Sequence, residues 1–341
     1  MSARVVWFVV PDTVDDPTQV SGGNVCDLRV RDGLEALGWD VRFTTVEPDA
    51  AVRALATVPP GALVLVDGLV AGRSPGAVEA AARCARVVVL AHMVSAAFAD
   101  ADLDIVEGER RAFRAAHAIV TTSAWTRDEL VRRALADPDR IVVATPGADV
   151  AAPAIGTADG VALLCVGVVA AHKGQDVLVE ALAGLRREPA WTCTIAGSLE
   201  TDPAYAGRVE ELARVAGLDG RVRMPGALVD EGLEGAYRDA DLLVAPSLVE
   251  SYGMVIADAL GRGIPVIASD VGGIPEAVAP SRAAVLVPPG DPGALRDALG
   301  RWMRDAALRE RLRCEARRGR GARTSWTETA TRVAEALEGV R

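Results

Sequence analysis

The stretch Ala245-Pro-Ser-Leu-Val-Glu-Ser-Tyr-Gly-Met-Val-Ile-Ala-Asp-Ala-Leu-Gly-Arg-Gly-Ile-Pro-Val-Ile-Ala-Ser269 contains a strand, a helix and a second strand in succession. An apolar strand ends near Ala245, a helix begins near Ser251, and an apolar run follows at Val266–Ser269. Short β-branched runs without strict alternation are typical of strands buried on both faces, and hence of parallel sheets covered by helices. This stretch therefore indicates an α/β fold.

The same pattern recurs along the chain and predicts two domains. Apolar runs predict six strands in each half, at residues 4–10, 41–46, 63–67, 86–90, 118–122 and 141–144, and at 161–166, 192–196, 222–224, 241–245, 266–269 and 285–287. Repeated strand–helix units form doubly wound sheets. A segment rich in proline and glycine at residues 145–160 predicts the linker between two Rossmann-like domains. Ligands of such domains bind at the carboxyl ends of the strands, here in an inter-domain cleft.

The composition excludes several classes of protein. The 341 residues carry 37 Lys and Arg against 47 Asp and Glu, a formal charge of −10, which argues against nucleic acid and against a membrane held by basic residues. No apolar run approaches the roughly 18 residues of a membrane span, and the run at residues 5–10 is too short for a signal peptide. Five scattered cysteines favour reduced thiols. We therefore expect a cytoplasmic protein without a membrane anchor.

The opening stretch also predicts an anion-binding site. Backbone N–H groups at Tyr252, Gly253 and Met254 would start a helix without partners inside it, and the helix dipole favours a phosphate there. Asp258 follows Glu250 by about two helical turns, so both carboxylates could line one face of a cleft. The alternative is that Glu250 is a helix-terminal acid and Asp258 a surface charge.

Lys173 is the only lysine in the chain, where every other basic residue is arginine. A compact ammonium between a strand and a helix favours contact with a phosphate, whereas arginine serves wherever any positive charge suffices. The alternative is the chance survival of one surface lysine.

These motifs together resemble the E-x7-E signature of family 4 retaining glycosyltransferases, which have the GT-B fold. The resemblance rests on S-x-x-E-x-Y-G-M-x-x-x-D-A-L-x-x-G-x-P-V-I-A-S at residues 247–269 and on four further motifs in order. These are Ser21-Gly22-Gly23-Asn24, His92 after the fourth strand, Val166-Gly167-x5-Lys173-Gly174, and Gly272-Gly273-Ile-Pro-Glu276.

The resemblance implies that a nucleotide-diphosphate sugar is bound by the second domain (residues 151–323) and an acceptor by the first (residues 1–150). Residues 324–341, with Trp326 near their start, would form a helix that crosses back to the first domain. Lys173 would neutralise the diphosphate, Glu250 would contact the donor sugar, Asp258 the ribose diol, and His92 would lie near the transferred sugar. Backbone at six glycines would line the donor: Gly22, Gly23, Gly167, Gly226, Gly272 and Gly273.

No side chain is a convincing nucleophile, so the resemblance implies front-face transfer with retention, by domain closure about the linker. We expect no essential metal and no cofactor besides the donor substrate, and the acidic surface favours a small soluble acceptor. Three Asp-x-Asp triplets, at Asp102, Asp137 and Asp239, are expected to arise by chance rather than to hold a metal ion.

Two residues depart from the family pattern. Asp258 stands where the family usually has Glu, and Val168 stands where it usually has Arg. Two alternatives remain open: a nucleotide-sugar epimerase or glycosyl phosphorylase on the same fold, and a non-catalytic nucleotide-sugar-binding subunit. The donor base, the sugar, the acceptor and the oligomeric state are not readable from the sequence.

Overall fold

The chain forms two compact units. The computed structural model describes residues 4–98, 101–188, 191–279 and 281–340. The first unit contains Met1–Asp15, Gly22–Gly147 and Thr324–Arg341, and the second contains Asp16–Ser21 and Ala148–Arg323. Among the described residues, no helix combines the length and the apolar character that crossing a membrane requires.

The first unit is a parallel sheet covered by helices. Its strands are β1 (Arg4–Pro11), β2 (Trp39–Val46), β3 (Leu63–Asp67), β4 (Arg86–Ala91), β5 (Ala118–Thr121) and β6 (Ile141–Val143). They lie in the order β2-β1-β3-β4-β5-β6, and all neighbours are parallel. Its helices are α1 (Gly22–Ala36), α2 (Val52–Ala56), α3 (Gly68–Arg73), α4 (Pro75–Ala81), α5 (Leu103–Ala115) and α6 (Ala124–Arg132).

The second unit repeats this architecture. Its strands are β7 (Ala162–Val166), β8 (Thr192–Ala196), β9 (Val222–Gly226), β10 (Leu242–Ala245), β11 (Val266–Ser269) and β12 (Ala284–Val287), in the parallel order β12-β11-β10-β7-β8-β9. Its helices are α7 (Gln175–Ala183), α8 (Pro203–Val215), α9 (Asp230–Asp239), α10 (Met254–Gly261), α11 (Ile274–Val278), α12 (Pro292–Arg304) and α13 (Ala306–Arg318). The last helix, α14 (Trp326–Gly339), belongs to the first unit.

The predicted α/β class and all twelve predicted strands are confirmed, with ends that differ by at most two residues. The β-branched runs are buried because helices cover both faces of each sheet. Val64, Val87 and Ile119 of the first sheet and Ile195 and Leu242 of the second are fully buried. Each strand order also has a switch point, between β1 and β3 and between β7 and β10, where open α/β sheets bind ligands.

The segment predicted as a linker is largely tied to the second unit. Backbone N–H groups of Ile155 and Gly156 donate to the carbonyl oxygen of Arg238, at 2.8 and 3.0 Å. The Thr157 hydroxyl and amide donate to the buried Asp241 carboxylate. Proline and glycine made this segment irregular, but irregular backbone can still be anchored by hydrogen bonds.

The final helix packs on the first unit. The guanidinium of Arg29 lies over the Trp326 ring at 6.0 Å from its centroid, and the Thr329 hydroxyl donates to the Thr145 carbonyl oxygen at 2.8 Å. Gly33 of α1 makes this packing close, because a Cβ there would lie 2.5 Å from the Cβ of Ala330.

Candidate active site

Lys173 lies at the switch point of the second sheet. It ends a short 3-10 helix, Ala171–Lys173, between β7 and α7, and Gly174 after it has φ 66°. Its ammonium donates a 2.7 Å hydrogen bond to the Glu250 carboxylate. Glu250 follows β10, the strand next to β7, so the sheet brings together two residues that are 77 positions apart.

The pair is mostly buried, with side chains 23% exposed for Lys173 and 14% for Glu250. Burial disfavours ionisation of Glu250, but the charge and hydrogen bond of Lys173 outweigh it, aided by the charge of His172 and the Tyr252 amide. The pKa of Glu250 therefore lies below its usual value. The site holds a carboxylate and an ammonium in contact.

Backbone contacts join the two loops that carry this pair. The His172 carbonyl oxygen accepts from the amide of Leu248 at 2.7 Å. Gly174 lies so close to the Pro246 carbonyl oxygen that a Cβ would overlap it. These contacts fix the loop that carries Lys173 against the loop that carries Glu250.

Gly272 and Gly273 also pack closely against the loop that carries Glu250. A Cβ on Gly272 would overlap the Glu250 carbonyl oxygen, and one on Gly273 would overlap that of Ser251. The Gly273 amide also donates to the Glu250 carbonyl oxygen at 2.9 Å. This glycine pair is thus required to hold the Glu250 loop, whatever contact it has with a ligand.

The anion-binding helix start differs from the prediction in two ways. Helix α10 begins at Met254, three residues later than predicted, because Gly253 before it has φ 100°. The Tyr252 amide, expected to face a phosphate, donates instead to Glu250. The first amides of α10, after Gly253, keep the geometry of a helix N-terminus.

Asp258 lies on α10, one turn before Arg262. Its side chain is 31% exposed, and its Oδ1 lies 3.8 Å from Nη1 of Arg262. Arg262 is buried over the Tyr237 ring, 4.5 Å from its centroid, and also pairs with Glu234. A partly exposed carboxylate with a buried cation behind it remains able to accept hydrogen bonds from a ligand.

Three glycines end neighbouring strands at this edge of the sheet. Gly167 follows β7 with φ 144°, and Gly226 ends β9 with φ 83°. Gly197, which the sequence analysis did not single out, joins them: its amide donates to the Gly226 carbonyl oxygen, and a Cβ would overlap that of Gly167. Its signal was its place directly after the predicted strand 192–196. Val168, at the position of the family arginine, accepts through its carbonyl oxygen from Nε2 of Gln175.

In the first unit, His92 lies just after β4 within a buried cluster. Its Nε2 lies 2.8 Å from Oδ1 of Asp27, on α1, and 3.4 Å from Oδ2 of Asp67, at the end of β3. Neither aspartate was singled out from the sequence, because nothing local marks two acids 40 residues apart as neighbours. The residues Gly22 and Gly23 open α1, and the Asn24 side chain donates to the Thr13 carbonyl oxygen at 2.9 Å.

The pKa values of Asp67 and His92 are both shifted by burial and by their neighbours in this cluster. Burial and the charge of Asp27 raise the pKa of Asp67 to about 7, against the opposing effects of His92 and two amide hydrogen bonds. Burial disfavours the imidazolium of His92, but the Asp27 carboxylate outweighs it, so the pKa of His92 lies well above its usual value.

The Asp-x-Asp triplets have structural roles. Asp102 accepts from the Asp104 amide before α5, and Asp137 accepts from the Asp139 amide. Asp239 pairs with Arg238, and Asp241 is buried against Arg313. The imidazole of His117 accepts from the Val87 amide through Nδ1.

Comparison with known proteins places this geometry in a family. The family model of glycosyl transferases group 1 matches residues 157–319, which contain the Lys173–Glu250 pair. Residues 157–319 are thus those of a group 1 glycosyl transferase domain. The resemblance to family 4 is thereby confirmed.

Curated relatives in the family are D-inositol 3-phosphate glycosyltransferases. The protein from Jonesia denitrificans is 34% identical over 257 residues, which are 69% of this chain and 59% of that protein. The one from Xylanimonas cellulosilytica is 34% identical over 242 residues, 66% of this chain and 57% of that protein. The chain thus spans less than two thirds of the length of these relatives.

Solved structures of glycosyltransferases share the fold over the whole chain. Sucrose-phosphate synthase from Thermosynechococcus elongatus superposes with a TM-score of 0.81 at 20% identity, covering 98% of both chains. Anabaena HepE in complex with UDP-glucose superposes with a TM-score of 0.78 at 17% identity, covering 98% of this chain and 99% of that one. The predicted GT-B fold is confirmed.

Proposed function

We propose that the protein transfers a sugar from a nucleotide-diphosphate donor to a small soluble acceptor, with retention of anomeric configuration. The observation that carries this proposal is the Lys173–Glu250 pair at the switch point of the second sheet. An ammonium and a carboxylate beside a helix N-terminus suit a ligand that joins a diphosphate to a polyhydroxylated sugar.

Each site residue has a role in this proposal. Lys173 and the first amides of α10 bind the diphosphate and stabilise the charge that develops on it as it leaves. Glu250 accepts hydrogen bonds from sugar hydroxyls, and Asp258 accepts from the ribose diol. The glycines at the strand ends let the backbone approach the donor.

We expect donor binding to loosen the Lys173–Glu250 contact. In this structure one N–H of the ammonium donates to Glu250 and the other two can donate to a phosphate. A diphosphate that draws the ammonium towards itself leaves the Glu250 carboxylate in need of donors, and hydroxyls of the sugar supply them. This exchange favours an intact nucleotide sugar over a bare diphosphate, because only the sugar supplies donors to Glu250.

In the proposed reaction the leaving diphosphate of the donor also serves as the base. With no nucleophilic side chain assigned, the acceptor hydroxyl attacks from the face that the diphosphate leaves, and a donor phosphate oxygen takes its proton. The mechanism needs no proton transfer by His92, whose Nε2 lies 2.8 Å from Oδ1 of Asp27. Positive charge comes from Lys173 and helix amides, so turnover is expected to continue in EDTA. Turnover that EDTA abolishes and Mg²⁺ restores would contradict this mechanism.

The relatives suggest the first substrates to test. UDP-glucose is the ligand in the HepE structure, and D-inositol 3-phosphate appears in the names of the curated relatives. The experiment incubates the protein with a panel of nucleotide sugars and this acceptor, and follows nucleoside diphosphate release and product configuration. The Glu250→Gln variant should lose turnover while it still binds the nucleoside diphosphate. Release that needs no acceptor, or an inverted product, would refute the proposal.

A further inference from the structure

Three side chains of the first unit converge at the switch point of its sheet, and the proposed transfer uses none of them. Asp27 comes from α1 after β1, Asp67 ends β3, and His92 follows β4. One ligand atom from each, a carboxylate oxygen or an imidazole nitrogen, lies within 4.8 Å of the other two. The side chains of both aspartates are at least 95% buried, and His92 is 13% exposed.

Asp27 supplies an independent sign of a ligand. Its Oδ2 is buried and has no hydrogen-bond partner among the described residues. A carboxylate oxygen that loses its hydration without gaining a donor destabilises the folded chain. A water molecule or an ion bound beside Oδ2 would supply the missing partner.

We propose that Asp27, Asp67 and His92 form a binding site for a divalent first-row transition cation. Bonds of about 2.0–2.2 Å place neighbouring ligand atoms about 3–3.5 Å apart. The present separations of 2.8 and 3.4 Å from His92 Nε2 lie close to that range. Imidazole with two carboxylates suits Mn²⁺, Fe²⁺ or Zn²⁺, whereas Mg²⁺ and Ca²⁺ prefer oxygen ligands alone.

The net charge of the three ligands and the hydrogen bonds that orient Asp67 both agree with this assignment. A divalent cation with two carboxylates and a neutral imidazole makes a neutral set, which is the least costly to bury. Oδ2 of Asp67 is the oxygen near His92. Its other oxygen, Oδ1, accepts from the amides of Leu69 and Val70 at 2.8 and 3.0 Å and so orients the carboxylate. Hydrogen bonds of this kind hold a ligand carboxylate in place for a metal.

The first test is a calorimetric titration with Mn²⁺ in a background of excess Mg²⁺, which fills weak surface sites. Mn²⁺ is the probe because the exposed thiol of Cys84 would take Zn²⁺. We expect one equivalent to bind, and Asp27→Asn to weaken binding by at least about tenfold. Asp32→Asn, which changes an exposed acid on the same helix, should bind as wild type does. Failure of wild type to bind one equivalent, or unchanged binding by Asp27→Asn, would overturn the site.

A second measurement uses only the wild-type protein, so it does not depend on whether variants of Asp27, Asp67 or His92 fold. The chain has three histidines, so its imidazole signals are few in a carbon–proton spectrum, and Mn²⁺ broadens signals near it. Sub-stoichiometric Mn²⁺ should broaden the ring signals of His92 before those of His117, at the other end of β4. Broadening of His117 first, or of neither, would exclude the cluster. Neither measurement uses a sugar donor, so this inference and the proposed transfer fail separately.

Discussion

Lys173 and Glu250 depend on each other in the folded chain. The sequence predicted a lysine that meets a phosphate and a glutamate that meets a sugar, but not that the two would be in contact. Removal of one charge from a mostly buried pair leaves the other uncompensated, and such changes are strongly destabilising. Lys173 therefore supports the fold as well as the proposed ligand.

Lys173→Ala should weaken binding of a nucleoside diphosphate by roughly ten- to a hundredfold, because a charge-assisted hydrogen bond is lost. Binding of the nucleoside alone should hardly change. Calorimetry measures both, and Arg238→Ala, which breaks an exposed ion pair in the same unit, is the control. Equal diphosphate affinity in wild type and Lys173→Ala would remove the lysine from the site.

At the scale of the element, glycines set where the loops lie. Gly272, with φ 62°, lets the turn before α11 press against the Glu250 loop. Sequence resemblance marked this glycine as lining the donor, whereas the packing shows a reason that needs no ligand.

Gly272→Ala should destabilise the second unit more than Gly217→Ala does. Both alanines pay the cost of a left-handed backbone, about 1–2 kcal/mol, but only at Gly272 would the new Cβ overlap backbone; Gly217 has φ 70° and open space around it. Urea unfolding of the two variants measures the difference. Gly272→Ala should also lower turnover, since the Glu250 loop must move. Equal losses of unfolding free energy in the two variants would show that the Glu250 loop can move away from the new Cβ without loss of stability.

A short 3-10 helix, Ser95–Ala97, follows His92 and is held by a buried acid. Glu109 of α5 accepts from the Ser95 amide at 2.9 Å and from its hydroxyl at 2.6 Å, and burial raises the pKa of Glu109 to about 7. The folded state therefore binds a proton more tightly than the unfolded state, so this group lowers stability as pH rises from about 4.5 to 7.

Glu109→Gln should remove this pH dependence. Relative to wild type, the variant should gain up to about 3 kcal/mol of unfolding free energy between pH 4.5 and pH 7.5. Urea unfolding of both proteins at several pH values measures the difference. A difference that stays constant with pH, or falls as pH rises, would contradict the raised pKa.

At the scale of the whole molecule, helix α14 packs in the first unit, far along the chain from that unit's strands. Leu337 of α14 is fully buried in the first unit, although 176 residues of the second unit, Ala148–Arg323, come between α14 and that unit's sheet. The arginines that precede α14 are also used within the fold: Arg320 donates to the carbonyl oxygens of Gly261 and Ala151, and Arg313 pairs with Asp241.

Leu337→Ala should therefore destabilise the first unit by about 2–5 kcal/mol, the usual cost of a cavity at a buried leucine. Hydrogen exchange should quicken in β5 and β6, which belong to that unit, and not in β10 or β11. Leu212→Ala, at a side chain that is 37% exposed, should cost far less. Faster exchange confined to the second unit would show that α14 does not stabilise the first.

The strands, the fold class and the segment that carries the family signature can all be predicted from the amino-acid sequence. These depend on local properties: apolar runs, helix starts and glycines near one another in the chain. The signature glycines and Glu250 were found because a motif of 23 residues holds them together at 247–269.

Which residues meet across the sheets depends on the tertiary structure and could not be predicted. The contact of Lys173 with Glu250 depends on β7 and β10 being neighbours, although β8 and β9 lie between them in the chain. Asp27 carries no local mark, and Asp67 has only its place at the end of the predicted strand 63–67. Their contact with His92 arises because the start of α1 and the ends of β3 and β4 meet at one edge of the sheet. Strand order is set by packing over long sequence distances, so pattern along the chain names candidate residues, while the order of the strands decides which of them form a site.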